Sequence, residues 1–384
     1  MARLGDVCTI VSGTTPKSGC PEYWDGDINW VTPAELNDES DVIYESQRKI
    51  TKQAVIDSSL KPFPAGTVLL SSRAPIGKVA IAGVEMYCNQ GFKNLICSDS
   101  IYNRYLYHFL KNKTEYLNSL GRGATFKEIS KSIVEEIEIP LPSLEEQRRI
   151  AALLDKVSDL IAKRRAQLDK LDLLVKARFV EMFGDPVTNP YGHPIHQLSD
   201  FIEFLTSGSR GWAQYFSDEG EYFITIKNVK NCRITLDDVQ HIVPPDNAEA
   251  KRTKVQEGDL LISITADLGR TGVITKEIAD HGAYINQHLT CIRLDKEAVF
   301  PLYVAYYMES DAGKGQFQAK NQSAVKAGLN FNSINTLRLM VPPKEQQGLF
   351  INFVEQTDKS KLMIQQSLDK LELLKKALMQ QYFG

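Results

Sequence analysis

Residues 141–184 read LPSLEEQRRIAALLDKVSDLIAKRRAQLDKLDLLVKARFVEMFG, and residues 341–384 read VPPKEQQGLFINFVEQTDKSKLMIQQSLDKLELLKKALMQQYFG. The two stretches align without a gap at an offset of 200 and share Pro142/Pro342, Glu145/Glu345 and Gln147/Gln347. The block LDKL-x-LL-x-KA then recurs from Leu168 to Ala177 and from Leu368 to Ala377, and both copies close on Phe-Gly. A period this long is too large for a solenoid and marks a duplicated half-molecule.

Each copy reads as one long helix. In the first, Ile150, Leu154, Val157, Ile161, Leu168, Leu171, Val175 and Met182 follow a 4,3 alternation interrupted by Arg164 and Arg178, the pattern of a seam facing another helix. Ser143 with Glu146 forms a capping box, and Pro142 keeps the helix from starting earlier. Gly184, with Pro186 beyond it, ends it. In the second copy Phe350, Val354, Ile364, Leu368, Leu371, Leu378 and Tyr382 keep the register, with Lys361 and Lys375 as polar interruptions. About 39 residues at ~1.5 Å each give a rod of roughly 58 Å. One such rod cannot bury its apolar stripe alone, so the two are expected to pack on each other.

The 384 residues, 43% of them apolar, suffice for two or more globular domains. No apolar run approaches membrane-spanning length, and MARLGDVCTI lacks the layout of a signal peptide. The six cysteines (8, 20, 88, 97, 232 and 291) show neither C-x-x-C nor zinc spacing with histidines, and read as buried thiols in a reducing cytoplasm. A net charge of −3 does not announce a nucleic-acid binder. Contact with DNA would require basic groups gathered on one face.

Residues 1–142 read as a first α+β globule, with β-rich runs at Thr67–Leu70 and Val79–Ile81 between turn signals and a helical stretch at Tyr102–Leu120. Residues 185–196 (DPVTNPYGHPIH) read as a connector, and 197–342 as a second globule with the same order of parts. Leu4-Gly5-Asp6 matches Leu198-Ser199-Asp200, and Ser12-Gly13 matches Ser207-Gly208. GTVLLS from Gly66 matches GDLLIS from Gly258, APIGKV from Ala74 answers ADLGRTGV from Ala266, Asn89-Gln90 matches Asn286-Gln287, and Ala124 matches Ala324. A shared frame with divergent loops suggests two sites of one type that read different targets. Antiparallel rods would hold two such readers at a set separation, which suits a bipartite target on a repeating polymer such as B-DNA, whose major groove recurs every ~34 Å.

This layout resembles the specificity (S) subunits of Type I restriction–modification systems over essentially the whole chain. The resemblance rests on SGTTPKS…YWDGDINWVTPAEL (Ser12 to Leu36), LLSSRAPIGKVAI (Leu69 to Ile81) and CNQGFKNL (Cys88 to Leu95). IEIPLPSLEEQRRI (Ile137 to Ile150) and MFGDPVTNP-x-G (Met182 to Gly192) complete it, together with their order and the duplication. It implies two target recognition domains (1–142 and 197–342), similar in fold, joined by central regions (143–184 and 343–384) that form an antiparallel coiled coil with pseudo-two-fold symmetry. Each recognition domain would read half of a split double-stranded DNA site, and the coiled coil would set the unread spacer. Two methyltransferase (M) subunits would dock on the chain, and restriction (R) motor-nuclease subunits would complete the complex. S-adenosylmethionine, ATP and Mg²⁺ would belong to those partners, leaving this chain without cofactor or catalysis.

No catalytic constellation emerges from the residues themselves. Asn189-Pro190-Tyr191 is similar to the N/D-P-P-Y/F of adenine methyltransferases, but lacks the second proline and any Gly-rich cofactor turn upstream. Pro245-Asp246 with Glu249-Ala250-Lys251 imitates a nuclease signature, yet its two-residue gap leaves no hairpin to bring the carboxylates around a metal, so a surface turn is expected. No P-loop and no H-E-x-x-H are present. The competing readings are the recognition portion of a fused methyltransferase-nuclease, and a coiled-coil scaffold that touches no DNA. The complete duplicated order favours a free subunit over the first.

Reading DNA needs donors for base edges and cations for phosphates. In the first half the candidates are Thr14, Thr15 and Lys17 in the Gly-turn loop, Arg73 and Lys78 flanking Pro75-Ile76-Gly77, Lys93, and then Arg122, Thr125 and Lys127. In the second half they are Ser209, Arg210, Lys227, Asn228, Arg270, Lys320, Asn321 and Lys326. Asn89-Gln90 and Asn286-Gln287 read as structural amides holding a turn, and Trp24 and Trp30 as core or loop anchors.

Overall fold

The computed structural model describes residues 1–37, 39–123, 127–321 and 328–384. The chain folds into two compact units, Met1–Ala166 with Gln365–Gly384, and Gln167–Ile364. Each unit holds one globule and half of each long helix. Those helices run Leu144–Phe183 and Lys344–Phe383, 40 residues apiece.

The two globules are built from the same parts. In the first, the main sheet runs in the order Cys8–Ser12, Lys93–Cys97, Val68–Leu70, Val79–Ala82, Val42–Ile43. In the second, the order is Ile202–Ser207, Leu289–Leu294, Leu260–Ser263, Thr271–Val273, Cys232–Ile234, with Val229–Lys230 added at the edge. Strand directions also agree. Val42–Ile43 lies parallel to Val79–Ala82, as Cys232–Ile234 does to Thr271–Val273. A second, smaller sheet in each globule contains one parallel pair, Trp30 and Val31 on Tyr87 and Cys88 in the first, Tyr222–Ile224 on Ala283–Ile285 in the second. The helical stretch expected at 102–120 is two helices, Asn103–Asn112 and Thr114–Leu120. The connector ends in a strand, because Ile195–Gln197 pairs with Arg338–Met340, just as Ala2–Arg3 pairs with Glu138–Ile139.

A buried glutamine locks the start of each long helix to its globule. Gln147 accepts the Tyr102 N–H at 2.8 Å and donates to the Ser100 and Pro142 carbonyls at 3.0 and 2.9 Å. Gln347 accepts the Phe300 N–H at 3.1 Å and donates to Pro342 O at 2.9 Å. Ser143 caps the first helix by accepting the Glu146 N–H at 3.3 Å, while the Glu146 carboxylate turns instead to Arg149. Gly184, at φ +77°, closes that helix with its N–H on Val180 O. The phenylalanine before each closing glycine is core. Phe383 packs on Tyr105 and Phe109 in the first unit, and Phe183 on Tyr303 in the second. The first helix thus starts on the first globule and ends in the core of the second, and the second helix does the reverse.

Within each unit the helices pair antiparallel. In the first, Ile150, Ala151 and Leu154 share a core with Met379 and Phe383, and Arg165 meets Glu372 at 2.8 Å. In the second, Phe179 and Phe183 pack on Phe350 at 5.3 and 5.6 Å, and Asp172 pairs with Lys361. The seam departs from the expected alternation toward its end. Val175, Phe179 and Phe183 are buried at successive steps of four, while Leu168, Leu171 and Met182 are half-buried. A straight helix drifts from a strict heptad, and near the globule its core joins the partner helix in covering the Phe179 and Phe183 face.

The first unit carries a charged cluster where globule meets helices. Buried His108 donates from Nε2 to Asp155 Oδ1 at 2.7 Å, and Arg104 bridges Asp155 and Asp41. Lys375, half-buried in the seam, faces the same carboxylate, and burial, reinforced by Arg165, lowers its pKa. Burial pushes His108 below the ordinary imidazole value against the pull of Asp155. Burial would raise Asp155, but hydrogen bonds from His108 and Arg104 hold it low. Both depressed values make the unfolded chain bind protons first, so both contributions are lost as pH falls. The His108 contribution goes from about pH 6.5 downward, that of Asp155 only below about pH 4. Denaturant midpoints measured between pH 7 and 5 are therefore expected to fall less steeply for His108→Gln than for the unsubstituted chain.

Candidate nucleic-acid interface

In each globule three loops meet at one end of the main sheet, and the same devices build both sets. Gly13 and Gly208 let the first loop cross the turn that follows Cys88 or Ile285. A Cβ at Gly13 would lie 2.0 Å from Cys88 O, and one at Gly208 would lie 2.1 Å from Asn286 O. The crossing is sealed by Thr14 N–H on Cys88 O and Ser209 N–H on Ile285 O, both at 3.0 Å.

The second loop is latched by a buried serine. Ser71 Oγ donates to Pro75 O and accepts the Lys78 N–H, at 2.7 and 2.8 Å. Ser263 Oγ repeats this with Asp267 O and the Arg270 N–H. Ala74 and Ala266 both stand at positive φ, +47° and +59°. The Asn-Gln turn is the third loop. Asn89 Oδ1 accepts the Gly91 N–H at 2.9 Å and Asn286 Oδ1 the His288 N–H at 3.2 Å, so these amides hold the turn as expected. Of their neighbours, Gln90 is exposed, whereas Gln287 is half-buried like the two asparagines. Gln90 Oε1 accepts from Thr15, and Gln287 Oε1 from Arg210.

On this shared frame the side chains diverge. In the first globule Arg73 and Lys93 converge on Glu128, at 3.9 and 3.0 Å, and Lys93 also reaches Ser72 Oγ. Arg122 and Glu128 pair through their backbones. A cleft of about 550 Å³ opens between Arg73, Ala74, Pro75, Ile76, Asn118, Lys127 and Glu128. Lys78 donates from Nζ to Pro33 O at 3.3 Å, and Thr14, Lys17, Arg122 and Lys127 are exposed. In the second globule Thr265 stands where Arg73 does, bonded to His288 Nδ1 at 2.6 Å, and Gly328 takes the bridging place of Glu128. Arg210 and Lys227 are exposed, Arg270 pairs with Asp267, and Lys320 donates to Thr336 Oγ1 at 2.8 Å. Asn321 accepts the Gly328 N–H at 3.3 Å.

Three sequence candidates are not on this surface. Lys93 is buried as the base of the Glu128 cluster. Asn228 is buried and ties down its own loop, accepting from Thr225 N and Oγ1 at 3.0 Å and donating to Thr235 O at 3.1 Å, so its amide has no face left for a base. Ser209 is buried, its hydroxyl 3.3 Å from Thr253 Oγ1. Thr125 and Lys326, with the Ala124/Ala324 match, lie outside the described residues. Trp30 is core and donates from Nε1 to Thr14 O at 3.1 Å, with Trp24 edge-on to it at 5.1 Å. Asp246 sits at the surface on Lys251, and Glu249 is 3.4 Å from Trp212 Nε1; only Pro245-Asp246 lies in a surface bend, because Glu249-Ala250-Lys251 belongs to a short helix, Ala248–Thr253, rather than to the expected turn. Cys8, Cys88, Cys232 and Cys291 are buried, whereas Cys20 and Cys97 are half-buried, and all six are free thiols.

The sequence profile of the Type I restriction modification DNA specificity domain matches residues 1–171 and again residues 196–373. The chain belongs to this specificity-subunit family. It is 38% identical over 247 residues to the Type I restriction enzyme MjaIX specificity subunit of Methanocaldococcus jannaschii, covering 59% of this chain and 57% of that one. The chain thus spans little more than half the length of that relative. Against the EcoKI specificity subunit of Escherichia coli K12 it is 22% identical over 380 residues, covering 93% of this chain and 81% of the other. Among solved structures, a chain from work on assembly and conformational transition of a Type I R-M system superposes with a TM-score of 0.62 at 19% identity, covering 100% of this chain and 96% of that one. The S subunit from M. genitalium gives a TM-score of 0.59 at 14% identity, covering 100% and 95%. The specificity-subunit fold and the two-fold repetition of its recognition module are therefore common ground. No helix among the described residues is long and apolar enough to cross a membrane.

Proposed function

We propose that this chain is the address-bearing, non-catalytic subunit of a Type I restriction–modification enzyme, and that each globule reads one half of a bipartite double-stranded DNA site in the cytoplasm. The observation that carries this reading is one loop frame displaying different side chains in its two copies, Arg73 with Glu128 in one and Thr265 with His288 in the other. A duplicated frame with exchanged readers suits an asymmetric split target. The two helices set the unread spacer between half-sites.

Methyltransferase subunits dock along the helices. In the shared LDKL-x-LL-x-KA block, Leu173, Leu174, Leu373 and Leu374 are 63%, 48%, 68% and 46% exposed, an apolar pair repeated at equivalent places in both helices. Exposed leucines repeated in this way fit two identical partners, one per copy. S-adenosylmethionine serves the modification subunits, and ATP with Mg²⁺ serves the motor-nuclease subunits.

The test is Arg73→Ala, made in the chain co-expressed with its modification subunits and read by methylome sequencing. One half-site is expected to relax at a single position, at a cost of roughly 1–3 kcal/mol for a bidentate contact, with the other half-site intact. An unchanged motif would remove Arg73 from the reading surface.

A further inference from the structure

We propose that Gln90 and Gln287 are equivalent specificity-determining residues, each reading an adenine edge in the half-site of its own globule. This rests on the DNA reading above and adds residues that the sequence assigned to structure. Four observations converge on them.

First, the turn does not need their side chains. Asn89 and Asn286 supply both the backbone anchors, N–H to Val31 O and to Ile224 O, and the side-chain bonds that close the turn. Second, each glutamine stands among the three loops, where the glycine crossing brings residue 15 or 210 against it. Third, Gln90 is exposed and Gln287 half-buried, and each is held through Oε1 by a neighbour from another loop. Such pre-orientation lowers the entropy cost of a later contact. Fourth, the holding partner changes between copies, Thr15 in one and Arg210 in the other, while the glutamine does not.

An amide carbonyl has two lone pairs, so Oε1 can accept from its neighbour and from a base at once. The amide NH₂ then donates to adenine N7 as Oε1 accepts from N6, the bidentate match for glutamine. In the second globule Gln287 Nε2 lies 3.2 Å from His288 Nε2, which steers the amide plane without consuming its second N–H. Arg210 beside Gln287 brings a guanine-reading group next to the adenine reader, where the first copy offers only a hydroxyl. The two halves thereby share one base and differ at the next.

The test uses the full chain co-expressed with its modification subunits and read by methylome sequencing. Gln90→Ala is expected to make one position of one half-site degenerate, with discrimination falling roughly 10- to 100-fold. The half-site read by the second globule then serves as the control for folding. Gln90→Glu is expected to move the preference at that position toward cytosine, because a carboxylate accepts from its amino group. Gln287→Ala and Gln287→Glu are expected to do the same in the other half-site. Motifs unchanged in both alanine variants would overturn the proposal, as would equal loss of both half-sites, which would assign the glutamines to folding. If the unsubstituted chain directs no methylation motif, the DNA reading itself falls and this inference with it.

Discussion

Phe350→Ala is expected to destabilise the second unit by about 3–5 kcal/mol, the cost of emptying a fully buried aromatic site. Phe350 is 0% exposed, and its ring meets Phe179, Phe183 and Tyr306 at 5.3, 5.6 and 5.2 Å. It therefore closes the joint where the incoming end of one helix, the outgoing start of the other and the globule share a core. Removing it leaves a cavity that three rigid rings cannot fill. The preceding residue provides the control, because Leu349 is 58% exposed and Leu349→Ala is expected to stay within about 0.5 kcal/mol. Denaturant midpoints of the two variants check the contrast, and equal losses would contradict the joint.

A second large effect is expected at a buried charge. Asp259 is 0% exposed and receives both arms of Arg293 at 2.9 and 2.8 Å, with a further N–H from Gln256 at 2.8 Å. Arg293→Ala strands that carboxylate and is expected to cost about 3–5 kcal/mol. The first globule solves the same place without charge, since Thr67 and Ile96 occupy the matching positions in its sheet. The double variant Asp259→Thr, Arg293→Ile is therefore expected to recover most of the loss. Replacing a buried pair with neutral, well-packed groups is often neutral or better. A double variant as unstable as the single would show that the second sheet depends on the pair itself.

Much of this architecture was legible from residues alone. Forty residues of helical periodicity, a proline before the start and a Phe-Gly end leave little freedom, and both long helices lie within one residue of their expected bounds. The duplication exposed the paired frames, because Ser71 and Ser263, Gly13 and Gly208, and Asn89 and Asn286 each serve a geometry that tolerates few substitutes. Reading side chains was harder, and for a physical reason. Whether a lysine meets solvent depends on a partner delivered by the fold. Lys93 is covered by Glu128, 35 residues away, and Asn228 by the backbone of its own loop. Phe179 and Phe183 fall outside the heptad reading because the globule core joins the partner helix in covering that face. Gln90 and Gln287 read as structural because both copies share them, and the asparagine side chains close the turn beside them.

Duplicating residues 165–171 together with residues 365–371 tests the spacer most directly, since whole heptads preserve the seam in both helices. Seven added residues lengthen each helix by about 10 Å, against roughly 3.4 Å per base pair. Methylome sequencing with the modification subunits present is expected to show both half-sites unchanged and the unread gap longer by roughly two to three base pairs. A gap of unchanged length between intact half-sites would contradict the claim that the paired helices measure it.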